Sequence, residues 1–300
     1  MPKLSAIVPA TNAPPTLAGC LEAIRAADEA PDELIVVEEG GGPADARNRG
    51  AARASGDVLV FVDADVVVHR DAFAIVRRAF HSDPSLTALF GSYDDEPADP
   101  GAVSAFRNLL HHHVHQQGHG PAETFWAGLG AVRRDAFEAI GGFDAGRYPV
   151  PSVEDIDLGA RLSAAGCRIE LDPLLQGTHL KAWSLYGMVE SDFWHRGVPW
   201  VELLLRHRVG SGALNLSWRH RLSALASVAA AASLLRGRLR GLVVAFAALA
   251  LLNRSFYELL ARKRGRTGAA LGLGLLALHH VVGALSVPVG VVEHLRRRDR

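Results

Sequence analysis

Over the first hundred residues, short apolar runs alternate with stretches whose apolar residues recur every three to four positions. Leu4–Pro9, Leu34–Val37 and Val58–Val62 are near-continuous apolar runs with the length and β-branched content of buried strands. Between them, Thr16–Ala27 puts Leu17, Leu21 and Ile24 on one helical face, and Ala44–Ala54 reads as a second helix. Asp71–Phe80 predicts a third helix and Leu86–Phe90 a further strand. Apolar strands separated by helices of this length predict βαβ units around a parallel sheet. In such a sheet the ligand loops follow Pro9, Val37 and Val62 and share one edge.

The rhythm breaks in a Pro-, Asp- and Gly-rich stretch from Tyr93 to Gly101. A histidine-rich helix is expected over Ala102–Gln117, a strand over Thr124–Val132 and a helix from Arg134. Gly141-Gly142-Phe143-Asp144 reads as a turn, Ser152–Ala165 as a helix with a polar, acidic start, and Arg168–Leu171 as a strand. Trp183–Arg208 is amphipathic and carries Trp183, Tyr186, Phe193, Trp194 and Trp200. Aromatic side chains gather where one side is apolar and the other wet, so this segment is expected along a bilayer interface.

Three apolar runs close the chain: Leu222–Leu235, Leu239–Leu252 and Gly268–Val292. Only the last reaches the ~20 residues that span hydrocarbon. Basic clusters stand at Arg219–Arg221, Arg236–Arg240, Arg262–Arg266 and Arg296–Arg300. Three full spans would put two of these clusters on the far side, against the positive-inside rule. At least one run is therefore expected to be interfacial or re-entrant, or to form a hairpin.

Net charge sharpens the division. Residues 1–205 hold 16 Lys+Arg against 29 Asp+Glu, a net −13, and residues 206–300 hold 16 against 3, a net +13. Two domains are expected: an acidic α/β domain over 1–205, with interface helices from about residue 183, and a basic, apolar helical region over 206–300. The basic residues flank apolar runs without interleaved aromatics, which fits an anionic membrane surface and not nucleic acid. Leu4–Ala10 is too short for a secretory h-region. Two cysteines, Cys20 and Cys167, make neither a disulfide framework nor a zinc pattern. The expected location is the cell inner membrane, with the acidic domain in the cytoplasm.

The candidate chemistry begins where Leu59–Val62 ends in Asp63-Ala64-Asp65. Two carboxylates at the carboxyl end of a strand suit a hard divalent cation that also binds substrate phosphates. Two aspartates after a strand also describe an ordinary turn, so the neighbouring motifs must decide. Ser5–Asn12, Leu34–Glu39, Ala46–Gly50, Asp63–Asp65, Gly141–Asp144 and Glu154–Leu158 follow one another in an order that resembles a family 2 glycosyltransferase of GT-A fold, across roughly residues 3–205.

That resemblance implies a Rossmann-like, mainly parallel sheet flanked by helices, followed here by C-terminal membrane-associated helices. It implies that Pro9, Ala10, Thr11 and Asn12 line a nucleotide pocket. Glu38, with Glu39 beside it, matches an acid that contacts base or ribose; Arg47 and Asn48 fall where the family's helix faces the nucleotide. Asp63 and Asp65 match the carboxylates for the metal, Mg²⁺ or Mn²⁺, and the sugar nucleotide, Asp65 being the direct ligand. His179 lies where family members place a histidine near metal or diphosphate, and Lys181 is in reach of a phosphate. Asp155, with Glu154 adjacent, matches the general base that takes the acceptor proton in an inverting transfer. Asp157 reads as a structural helix residue.

Two further features qualify this reading. Asp192–Trp200 occupies the place of the Gln-x-x-Arg-Trp motif of processive synthases but lacks it, leaving Arg196 and Trp200 as acceptor-side candidates for a single transfer. His111 and His115 stand one helical turn apart within His111–His119, yet no Cys or Glu completes a familiar metal pattern. The expected activity is non-processive, inverting transfer from a nucleotide diphosphate-sugar to a lipid or lipid-linked acceptor. A polyprenyl-phosphate glycosyltransferase and a non-catalytic membrane scaffold are the alternatives.

Overall fold

A computed structural model describes residues 1–207 and 218–298. The chain divides into two compact units: Met1–Ala98 with Val114–Lys181, and Asp99–His113 with Ala182–Arg300. The division falls earlier than residue 205, because Phe106 and Leu109 share an apolar cluster with Met188, Phe256 and Leu276.

The first unit is a single sheet in the order β2-β1-β3-β7-β5-β8-β4. Its strands are β1 (Leu4–Pro9), β2 (Glu33–Val37), β3 (Val58–Val62), β4 (Val66–Val68), β5 (Leu86–Tyr93), β6 (Gly120–Ala122), β7 (Leu129–Arg133) and β8 (Arg168–His179). β1 pairs in parallel with β2 and β3, and β5 with β8. β7 enters between β3 and β5 antiparallel to both, while β4 and β6 run antiparallel to β8, so the sheet is mixed.

Helices α1 (Leu17–Arg25), α2 (Pro43–Arg53), α3 (Ala72–Ser82), α5 (Arg134–Ala139) and α6 (Glu154–Ala164) cover the sheet; α4 (Ala102–Gln117) runs from one unit into the other. All five residues of β3 are buried, as a central strand covered on both faces requires. Phe61 anchors this layer, its ring 5.5 Å from Phe137 and 5.2 Å from Phe143. Truncating such a side chain to alanine costs roughly 3–5 kcal/mol.

The second unit is helical: α7 (Leu185–Glu190), a π-helix (Ser191–Gly197), α8 (Val198–His207), α9 (Trp218–Leu235), α10 (Leu239–Leu252) and α11 (Arg254–Arg298). The expected single amphipathic segment from Trp183 is thus three successive helical pieces. α9 and α10 form an antiparallel hairpin: Asn253, just past α10, donates to Ser223 Oγ near the start of α9 at 2.9 Å, and Gly237 turns at φ 62°. α11 is broken at Gly265 (φ 68°). Among the described residues it is the one helix long and apolar enough to cross a membrane by length and composition.

Candidate active site

Three sheet-edge segments converge on Asp63 and Asp65. Directly after β3, the Asp63 amide donates to Gly128 O at 3.0 Å, and the Val66 amide closes a tight turn back to Asp63 O at 2.9 Å. The short β4 that follows pairs with the end of β8, setting Val66 opposite His179. That pairing carries His179 Nε2 to 3.5 Å from Asp65 Oδ2, and the Leu180 amide donates to Asp65 O at 2.8 Å. The His179 ring stacks on Tyr93 with centroids 4.1 Å apart, and Tyr93 meets Trp126 edge-on at 4.8 Å.

Arg47 links the two carboxylate motifs. On α2 and only 4% exposed, it donates from Nη2 to Asp63 Oδ1 at 2.6 Å and from Nη1 to Glu154 Oε1 at 2.9 Å. Its guanidinium also lies over the Phe143 ring at 5.4 Å. Arg47 thus spends its charge on two acids that lie far apart in sequence. Asn48 does different work: it donates to Phe143 O at 2.8 Å and accepts from the Phe143 amide at 2.9 Å. This two-way bond clamps the Gly141–Asp144 turn, where Gly141 and Gly142 take φ values of 78° and 66° that a glycine adopts without strain.

Adjacent residues on a helix do not face one way, and Glu154 and Asp155 divide accordingly. Glu154 is buried, with Arg47 on one oxygen and the Ser152 amide on the other at 2.8 Å. Asp155 is half-buried; its Oδ2 accepts from the Ala127 amide at 3.2 Å and its Oδ1 from the Ile156 amide at 2.8 Å. α6 reaches this position because it crosses the Thr124–Phe125 backbone at Gly159, where a Cβ would collide with both residues. The expected strand over Thr124–Val132 begins only at Leu129. Upstream of it, the Ala127 amide is spent on Asp155 and the Gly128 carbonyl on Asp63.

The charges are strongly shifted. Burial pushes the Asp63 carboxyl upward, against the pull of Arg47 and with a further push from Asp65. Burial acts to raise Asp65 too, but the His179 hydrogen bond and the charges of His179 and Lys181 hold it below the usual carboxylate range. Burial raises Asp155 to about 7, reinforced by the Glu154 charge and opposed by Arg47 and the two backbone amides. A carboxyl poised near neutrality suits proton abstraction.

The other candidates are placed as follows. Pro9 ends β1, and Thr11–Ala13 turn away with Asn12 at φ 80° and Ala13 at φ 44°, left-handed values uncommon outside glycine. Glu38 and Glu39 are exposed directly after β2, and Lys181 is exposed after β8. Asp157 is buried and ion-paired to Arg161 at 2.8 Å. Arg196 and Trp200 belong to the helical unit, on the π-helix and α8. His115 is buried in the sheet unit with Nδ1 2.8 Å from Gly91 O. His113 is buried in the helical unit with Nε2 3.4 Å from Ser255 Oγ, and His119 is exposed.

Among the described residues no three His, Cys, Asp or Glu side chains converge to hold a metal alone. The donor set at Asp65 fits a different arrangement, in which one or two carboxylates share a cation with phosphate and water. Tyr93, Trp126 and the Arg47 bridge were not singled out from the sequence. Each depends on pairings between distant segments, and no local pattern marks them.

The Glycosyl transferase family 2 profile matches residues 38–141, which contain Glu38, Arg47 and the Asp63–Asp65 pair. A pre-mycofactocin glycosyltransferase of Mycobacterium tuberculosis is 27% identical over 295 residues, covering 86% of this chain. The chain spans about 60% of that relative's length. A mannosyltransferase from Pyrobaculum calidifontis, solved with GDP-Man and Mn²⁺, superposes with a TM-score of 0.50 at 18% identity, over 95% of this chain and 87% of the other. The fold is therefore GT-A, and residues 38–141 are similar to glycosyltransferase family 2.

Proposed function

We propose that this protein moves a single sugar, with inversion, from a nucleotide diphosphate-sugar to a hydroxyl of a lipid or lipid-linked acceptor at a membrane. The observation that carries this reading is Asp155. Two backbone amides orient its carboxyl, burial poises it near pH 7, and its neighbour Glu154 is already committed to Arg47. Asp155 takes the acceptor proton as the hydroxyl oxygen attacks the anomeric carbon, and the nucleoside diphosphate departs from the opposite face.

Pro9–Asn12 and Glu38 bind the nucleoside. Arg47 holds Asp63 in place and keeps Glu154 from competing for the acceptor proton. Asp65, Asp63 and His179 would hold a divalent cation, which supplies Lewis-acid stabilisation of the charge developing on the diphosphate. The Pyrobaculum complex with GDP-Man and Mn²⁺ supports both the donor class and the cation. Arg196 and Trp200 serve the acceptor. The apolar length of α11 supports action at a membrane, which we take to be the inner membrane with the sheet unit on the cytoplasmic side.

The test is Asp155→Asn, assayed with labelled UDP-, GDP- and dTDP-sugars and extracted lipid. Transfer is expected to fall by about 10²–10⁴-fold, with Mn²⁺-dependent nucleotide diphosphate binding retained by calorimetry. Undiminished turnover would remove Asp155 as the base.

A further inference from the structure

We infer that the α9–α10 hairpin is a docking element that lies in the plane of an anionic lipid surface and enters one leaflet without crossing. The first ground is exposure. Leu222, Leu225, Val228, Leu235, Leu239, Val243, Val244 and Leu251 all face outward on these two helices, with Leu235 88% and Leu251 77% exposed. Contiguous exposed apolar surface of this kind marks an interaction face.

The second ground is length. α9 has 18 residues and α10 has 14, about 27 and 21 Å at 1.5 Å per residue. The hydrocarbon core is about 30 Å thick, so α10 falls short of it.

Charge supplies the third ground and selects the occupant. The turn presents Arg236, Arg238 and Arg240, all exposed, while Arg219, Arg221 and Arg254 stand at the opposite end of the hairpin. No Asp or Glu occurs between Glu202 and Glu258. A hairpin standing upright would carry three arginines through the hydrocarbon, at about 2.5–3.5 kcal/mol each at its centre. Lying flat, both basic ends meet headgroups while the leucines and valines enter the acyl layer. A second copy of a chain with this basic hairpin would set like charges together, so the complementary partner is an anionic bilayer.

α11 does not contradict this. One of its faces is occupied by the π-helix and α8: His279 Nδ1 lies 2.7 Å from Asp192 Oδ2, and Arg297 Nη1 lies 3.7 Å from Glu202 Oε1. A crossing α11 would draw Asp192 and Glu202 into the membrane with it.

The inference rests on the reading of this protein as a membrane-associated transferase. Vesicle flotation scores docking without turnover, so either reading can fail alone. Full-length protein is floated with phosphatidylcholine vesicles, with and without phosphatidylglycerol. Binding is expected to require the anionic lipid, to weaken as salt rises, and to be extracted by alkaline carbonate. The triple variant Arg236→Glu/Arg238→Glu/Arg240→Glu should lose roughly 100-fold in partitioning, given the usual contribution of each basic residue near an anionic surface. Its helical circular dichroism should be unchanged. Equal binding to neutral vesicles, resistance to carbonate extraction, or a stable dimer that does not float would each overturn the proposal.

Discussion

Among the described residues, three large apolar side chains are exposed in the sheet unit (Met1, Val150 and Leu174) and nineteen in the helical unit. Buried charge shows a second difference. The sheet unit gathers Asp63, Asp65, Glu154 and Asp155 at the proposed substrate site, and one buried arginine, Arg47, partly compensates them. The helical unit buries Arg107 and Asp192 among its helices, with the partly exposed His279 on Asp192 and Arg107 stacked 4.5 Å over Trp183. One unit is apolar inside with acids at a working edge. The other turns apolar surface outward and buries the Arg107–Asp192 pair. The first pattern suits water, and the second suits contact with lipid, where an unpaired charge is expensive and an exposed leucine is not.

The strongest way to break this comparison is to remove one charge from each buried network. Arg47→Ala leaves Asp63 and Glu154 unpaired and should cost about 3–5 kcal/mol, the scale for stripping one partner from a buried pair. Thermal unfolding reads the loss, and nucleotide diphosphate affinity should fall with it, because Asp63 loses its anchor. Asp192→Ala removes the buried ion pair with Arg107 at a similar cost, but nucleotide affinity should persist in whatever protein remains folded. Equal loss of nucleotide binding in both variants would mean the networks do not divide the labour as their locations imply.

A smaller effect comes from Asp155. Its folded pKa of about 7 stands above the 3.8 of a free carboxyl, so the native state holds this proton more tightly than the unfolded chain does. The associated stability is full below pH ~4 and is lost as pH rises through 7. Above pH 7 the ionised carboxylate is a liability. Asp155→Asn should therefore raise the unfolding free energy at pH 8 by about 1–3 kcal/mol, at about 1.4 kcal/mol per pK unit, and leave it nearly unchanged at pH 4. In the wild type, kcat/KM should fall about tenfold per pH unit below 7, because the base is protonated there. A flat profile through pH 6–8 would assign the acceptor proton to another group.

Legibility in the sequence followed the range of the interactions. β1, β2 and β3, and the position of Asp63–Asp65 after β3, could be read from local apolar runs. So could the extents of α9 and α10, which end with the predicted apolar runs Leu222–Leu235 and Leu239–Leu252, whereas their pairing as a hairpin was one of three arrangements the basic clusters left open. β4 could not: three valines directly after Asp65 carry no period of their own, and they become a strand by pairing with Gly177–His179. That pairing brings His179 to Asp65, which left the histidine's neighbours unreadable. Arg47 and Glu154 are 107 positions apart, and no local pattern reports such a bridge. The π-helix at Ser191–Gly197 was hidden for a different reason. Its composition is that of the helices on either side, and the close approach of Gly197 to Ser286 of α11, where a Cβ would collide, is a contact between segments distant in sequence.

The least disruptive test sits in the helical unit. Asn253 is 5% exposed, donating to Ser223 Oγ at 2.9 Å and to Leu249 O at 2.9 Å; Ser223 is fully buried. These bonds tie the base of the hairpin. In water, cutting one leaves a buried hydroxyl short of a partner and costs about 1 kcal/mol or somewhat more. Where lipid surrounds the helices, interhelical bonds of this kind average nearer 0.6 kcal/mol, because the separated helices find other partners. Asn253→Ala should therefore lower the unfolding free energy by about 1 kcal/mol in lipid-free solution and by less on anionic vesicles. Nucleotide diphosphate affinity should not move. Comparing chemical unfolding with and without vesicles measures the difference, and an equal cost in both media would mean the hairpin base stays in water when the protein docks.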